Sequence, residues 1–136
     1  MAPGPEVVCV TIDCREPAIE AGFWSATLGW DDVHIGRHGA AIRPPDGHGP
    51  YLEFVQVPED KVVKNRVHLG LHAGSLPDLD AFLDRLLGLG ATVAWEEEFP
   101  PEIASVYRNI VLRDPEGNEF CLGGGSMEDA ESAVRP

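Results

Sequence analysis

The dipeptide Leu28-Gly29 returns as Leu89-Gly90 about 60 residues further on, and each closes a stretch with apolar residues at helical spacing. What flanks the two stretches also matches. An alternating run precedes each, Val7 to Asp13 and Arg66 to His72, and three short extended segments follow each. A chain that states the order strand, helix, three strands twice predicts an α+β protein of two βαβββ modules. A ferredoxin-like domain, which places two strands between its helices, ranks second.

In the first module, Val8, Val10 and Ile12 alternate with Cys9, Thr11 and Asp13, as in a half-buried strand. Pro17 suits a helix start. Ile19, Phe23, Ala26 and Thr27 supply the helical spacing, with Trp24 and Leu28 beside them. The spacing predicts strands over 30–35, 40–43 and 51–57, with Gly36-Arg37-His38-Gly39 as a turn and Pro44 to Pro50 as a stiff loop. Pro58-Glu59-Asp60-Lys61 reads as a polar linker between the halves.

In the second module, Val67, Leu69 and Leu71 alternate with His68, Gly70 and His72. The apolar side predicts a core contact, and the side with two histidines around a glycine faces water, a ligand or a metal. Leu79, Phe82, Leu83, Leu86 and Leu87 form the apolar stripe of a helix over 76–89. Strands are expected over 92–97, 106–112 and 118–122, with Phe99-Pro100-Pro101 as a loop and Asp114-Pro115-Glu116-Gly117 as a turn. Residues 1–6 read as a loose leader and 124–136 as an acidic tail, disordered or loosely docked.

The 136 residues suit one domain with a real core. The 23 acidic and 10 basic residues give a net charge of −13, which repels nucleic acid and anionic membrane surfaces. No apolar run reaches membrane-spanning length, and the leader has no signal pattern. Three cysteines without CxxC spacing argue against a disulfide scaffold, so a cytoplasmic protein with reduced thiols is expected.

Certain residues carry a family likeness. Thr11-Ile12-Asp13-Cys14, Phe23-Trp24, Leu28-Gly29-Trp30, Lys64-Asn65-Arg66-Val67-His68-Leu69, Leu89-Gly90-Ala91 and the stretch Asp114 to Cys121 fall in a paired order. That order resembles the vicinal oxygen chelate superfamily of glyoxalase-type isomerases, bleomycin- and fosfomycin-resistance proteins and extradiol dioxygenases. The chain looks most like its glyoxalase-like group. The resemblance covers residues 7–123, with modules 7–58 and 66–123, and implies a cupped mixed sheet with helices outside, a small-molecule cleft and a homodimer.

In metal-using relatives one ligand comes from the first and one from the last strand of each module. Those positions map here onto Cys9, Glu53, His68 and Cys121. Relatives usually show His or Glu there, so the two cysteines depart from the pattern and no metal site is expected; zinc is the ion such a mixed donor set would suit. Strand alternation puts Thr11, Asp13, Val55, Gly70, His72 and Glu119 on the same sides as these four.

His68 and Glu53 are the candidate acid–base groups. Cys9, Thr11, His72, Glu119, Cys121, Trp30 and Trp95 are the candidate ligand contacts. Each has a plainer reading. The cysteines suit small buried positions, His68 a structural hydrogen bond, and His72 an exposed strand end. Trp24 suits the core; Trp30, Trp95 and Tyr107 either pack or wall the cleft. Arg66 and Arg108 are anion clamps or solvated, and Asp13 caps the turn towards the helix. Cys14 has no visible activating neighbour. Two functions follow: a glyoxalase-like isomerase or lyase, or a non-catalytic protein that sequesters a drug or metabolite.

Overall fold

The structure, a computed structural model, describes residues 3–134. It is mixed α+β, with two compact units that divide between Lys61 and Val62.

The first unit holds β1 (Cys9–Cys14), α1 (Pro17–Leu28), β2 (Asp32–Ile35), β3 (Gly39–Arg43) and β4 (Tyr51–Gln56). Its sheet runs in the order β1-β4-β3-β2, with β1 parallel to β4 and the other pairs antiparallel. Ile42, Leu52 and Phe54 are buried on the face that meets α1. Gly29 ends α1 in the left-handed conformation, φ +69°, and its N–H reaches Ser25 O. Trp30 was expected to start a strand but belongs to this helix end: its N–H donates to Ser25 O, and Ser25 Oγ donates to Trp30 O at 2.7 Å.

The expected stripe of α1 is corrected by one position. Phe23 and Trp24 pack edge to face with centroids 5.4 Å apart, and both are buried. Burying the pair turns the helix so that Glu20 and Ala21 lie one turn away on the same side. Ile19 is thereby sent to the exposed side, and Glu20 becomes a fully buried carboxyl.

The second unit repeats the arrangement with β5 (Gly70–His72), α2 (Leu76–Leu89), β6 (Thr92–Glu96), α3 (Pro101–Ala104), β7 (Tyr107–Arg113), β8 (Glu119–Gly125) and α4 (Met127–Val134). The strand order is β5-β8-β7-β6, again with the first and last strands parallel. Leu112, Phe120 and Leu122 take the places of Ile42, Leu52 and Phe54, and α2 covers β8. Burial of a side chain such as Phe54 or Phe120 contributes about 2 kcal/mol. Helix α2 starts from a capping box: Ser75 Oγ accepts the Asp78 N–H at 3.2 Å and Asp78 Oδ2 accepts the Ser75 N–H at 3.3 Å. Its buried stripe is narrower than expected. Leu79 and Leu86 are enclosed and Leu83 is half-buried, whereas Phe82 and Leu87 are exposed.

The expected strand over 66–72 shrinks to Gly70–His72, and Val67 is exposed rather than core-facing. The cause lies in β8, the only strand β5 pairs with among the described residues. Before Glu119 the chain is a turn in which Asp114 N–H donates to Asn118 O and Asp114 Oδ1 accepts the Glu116 and Asn118 N–H groups. Leu69 O receives the Cys121 N–H, but residues 66–68 have no strand beside them.

Residues 124–125, expected in the tail, continue β8, and 127–134 form α4, which contacts α3 and β7. Residues 101–104, of which Pro101 was read as the end of a loop, make one short helix that packs with α4. The run Gly123-Gly124-Gly125 is required by its neighbours. A Cβ on Gly123 would meet the Tyr107 hydroxyl at 2.6 Å, and one on Gly124 would meet Leu79 Cβ at 2.6 Å. Gly125 has φ +97° and lies against Val106 O.

Candidate functional site

Each unit has a sheet face turned away from its helix, and the register decides what stands there. In the first unit Cys9 pairs with Tyr51, Thr11 with Glu53 and Asp13 with Val55. Ala41 stands opposite Glu53, and β2 adds His34 and Asp32. Tyr51 was not singled out in the sequence, although parallel pairing of the first and fourth strands puts it beside Cys9. Its hydrogen bond to Cys9, and then that thiol's charge, hold the Tyr51 phenol above its ordinary value of 10.0. Arg43 caps the ring, its guanidinium carbon 4.5 Å from the centroid. Cys9 Sγ is also 4.0 Å from Thr11 Oγ1. Glu53 is half-buried in the middle of this face, and among the described residues no hydrogen bond reaches its carboxylate. His34 and Asp32 form an exposed pair at 2.7 Å.

In the second unit Gly70 pairs with Cys121 and His72 with Gly123. Val111 lies between Cys121 and Trp95, and Asn109 lies opposite Gly123. The absence of side chains at Gly70 and Gly123 is filled from the same face: Cys121 Sγ would be 3.3 Å from a Cβ on Gly70, and Tyr107 leans over Gly123. Burial, and then the Cys121 charge, push the Tyr107 phenol up from its ordinary value. Phe99 packs on the Tyr107 ring at 5.8 Å between centroids.

The expected residues thus divide between two faces. The first brings together Cys9, Thr11 and Glu53; the second carries Cys121, His72 and Trp95. His68 was expected on a strand and lies outside any, exposed, in the segment that leads to β5. His72 has both ring nitrogens engaged by backbone: Nε2 donates to Gly125 O and Nδ1 accepts the Gly74 N–H, each at 3.2 Å. Glu119 is buried rather than open, and its Oε1 accepts the Asn65 N–H at 2.9 Å. Trp30 is half-buried at the end of α1. Trp95 is partly exposed, with Nε1 donating to Glu97 Oε1 at 3.2 Å and Lys64 Nζ 5.8 Å from its centroid. Arg108, a possible anion clamp in the sequence, is held by Glu96 at 2.7 Å and Asp80 at 3.0 Å, which raises its pKa and ties β7 to β6 and α2.

The match to known proteins agrees with this architecture. The model of the glyoxalase-like domain matches residues 9–123. The chain belongs to the glyoxalase-like family. Its fold is shared by solved members of the glyoxalase, bleomycin-resistance and dioxygenase superfamily. A family enzyme from Burkholderia phytofirmans PsJN is 15% identical, with 90% of this chain and 100% of that one covered and a TM-score of 0.71. A mutant of the fosfomycin resistance protein FosX from Listeria monocytogenes, in complex with Mn(II) and 1S,2S-dihydroxypropylphosphonic acid, is 14% identical, with 99% and 100% covered and a TM-score of 0.73. A glyoxalase/bleomycin resistance protein from Albidiferax ferrireducens T118 is 22% identical, with 88% and 98% covered and a TM-score of 0.61. No functionally curated protein matches the sequence.

The metal chemistry of such relatives does not fit this glyoxalase-like chain. Two of the four mapped donors are thiols, soft ligands that a hard ion such as Mn(II) does not favour. Cys9 is engaged by Tyr51 and Thr11. Among the described residues no three His, Cys, Asp or Glu side chains are gathered as ligands would be. Among the same residues no helix is long and apolar enough to cross a membrane.

Proposed function

We propose that this glyoxalase-like protein binds a small organic molecule in a cleft floored by an open sheet face, without a resident divalent metal. The observation that carries the reading is Glu53, a half-buried carboxylate in the middle of a sheet face with no hydrogen bond from any described residue. A carboxylate in that setting lowers its free energy by accepting a hydrogen bond from a ligand hydroxyl or amine. Cys9, Thr11, Cys121 and Trp95 are the further proposed contacts, and the protein acts as a homodimer. The three cysteines are free thiols, which supports a reducing, cytoplasmic setting.

Sequestration is favoured over turnover because His72 and Glu119 are already engaged by backbone groups. That leaves Glu53 and His68, each on its own unit, as the candidate proton-handling groups for an isomerase or lyase reading. The test is native mass spectrometry with elemental analysis of protein purified without chelator, followed by ligand titration. The expected result is metal-free protein that binds saturably without conversion, with Glu53→Gln weakening affinity by roughly tenfold. Stoichiometric manganese or zinc that is lost on replacing His68 overturns the metal-free reading. Turnover that disappears in Glu53→Gln replaces sequestration with catalysis.

A further inference from the structure

On the open face of the first unit, strand pairing sets Thr11 beside Glu53, Glu53 beside Ala41 and Ala41 beside His34. One row across all four strands therefore presents a hydroxyl, a carboxylate, a methyl group and an imidazole. The neighbouring row pairs Cys9 with Tyr51 and Arg43 with Asp32, and its groups are spent on one another or on His34. Cys9 bonds Tyr51, Arg43 lies over the Tyr51 ring, and Asp32 accepts the His34 Nε2–H at 2.7 Å.

The second unit supplies a comparison. Its equivalent row runs Gly70, Cys121, Val111 and Trp95. There Val111 takes the place of Ala41 and is buried, and Cys121 stands where Glu53 does. In the first unit Ala41 is half-buried, and its methyl group is shorter than the side chains on either side of it. Neighbouring strands lie about 4.8 Å apart, so Glu53 and His34 leave their strands roughly 10 Å apart with that methyl between them. A molecule of a few carbons fits such a gap.

Two acceptors flank the gap. The Glu53 carboxylate receives no hydrogen bond from any described residue. His34 commits Nε2–H to Asp32, so its neutral ring presents Nδ1 as an acceptor. Two acceptors match a ligand with two donors. At Glu53 a charged donor is favoured, since a charge-assisted hydrogen bond is about twice as strong as a neutral one. The net charge of −13 also draws cations to the surface. We propose that the gap over Ala41, between Glu53 and His34, is a subsite for a small hydroxylated amine, its ammonium on Glu53 and a hydroxyl on His34 Nδ1. Asp32 is a positioning residue that holds the ring through Nε2. The proposal rests on the ligand-binding reading above, names the ligand class, and adds His34, Asp32 and Ala41 to the site.

Amide NMR titration of the full chain with glucosamine tests it, beside glucose, which lacks the ammonium, and cyclohexylamine, which lacks the hydroxyls. Glucosamine is expected to give saturable shifts on β2, β3 and β4, and glucose and cyclohexylamine to bind at least roughly tenfold more weakly. Ala41→Val puts the second unit's residue into the gap, and His34→Phe removes the acceptor from an exposed strand. Each is expected to weaken glucosamine at least roughly fivefold with an unchanged thermal melt. If Ala41→Val fails to fold, His34→Phe decides alone. No saturable shift with glucosamine, or equal binding of glucose or cyclohexylamine, overturns the ligand class. Wild-type affinity in either folded variant, with binding lost in Glu53→Gln, overturns the subsite and leaves the ligand-binding reading standing. Glucosamine binding that is indifferent to Glu53→Gln overturns both.

Discussion

Glu119 Oε1 accepts the backbone N–H of Asn65 at 2.9 Å, across a chain separation that spans all of β5, α2, β6 and β7. The carboxyl is buried at the first residue of β8. It therefore closes the unit in which it lies, by fixing the incoming segment against the strand that β5 joins.

Glu119→Ala removes that acceptor and leaves a backbone donor with no replacement. The expected loss is about 1–3 kcal/mol in urea unfolding, with faster tryptic cleavage after Lys61, Lys64 and Arg66 than in the wild type. Unchanged cleavage in a destabilised variant would mean that the segment is held by other contacts.

Two glycine substitutions are expected to move stability in opposite directions. Gly22 lies within α1 with nothing inside 4 Å of an added Cβ, so Gly22→Ala stabilises by about 0.5–1 kcal/mol through helix propensity and a less mobile unfolded chain. Gly124→Ala drives a methyl group into Leu79 Cβ, 2.6 Å away, and costs about 1–3 kcal/mol by overpacking. Paired thermal melts check both signs.

The protein has two tyrosines, and both phenols are held above their ordinary value of 10.0, Tyr51 by Cys9 and Tyr107 by burial. The folded state therefore keeps its phenolic protons at a pH where the unfolded chain releases them. Stability from these groups is complete below pH 10 and is lost as pH rises through the folded values. Ultraviolet titration is expected to show no tyrosinate until pH passes the ordinary value. In Cys9→Ser the Tyr51 fraction is expected to ionise earlier.

The two-module order was legible because it depends on local chemistry that repeats. Leu28-Gly29 and Leu89-Gly90 close their helices with glycine in the left-handed region, φ +69° and +114°. Alternation on β1 and β4 correctly put Cys9, Thr11 and Glu53 on one face, since the side-chain period of a strand is independent of its partners.

Local pattern and structure part where a neighbour decides. Val67 alternates as a strand residue, yet β8 begins only at Glu119 and gives it no partner. Ile19 has helical spacing, but the shared burial of Phe23 and Trp24 sets the phase of α1. Three successive glycines read as a flexible boundary, although Tyr107, Leu79 and Val106 each require one of them.

The sequence by itself determined the paired order of strand, helix and three strands and the family, because periodicity, helix stops and turn residues act over a few positions. Only the tertiary structure decided which of those polar groups are already spent. Glu119 and His72 look as available as Glu53 in the sequence, but Asn65 and Gly125, which engage them, come from other segments, and Gly74 adds a local bond to His72. A hydrogen bond between distant residues leaves no periodic trace along the chain.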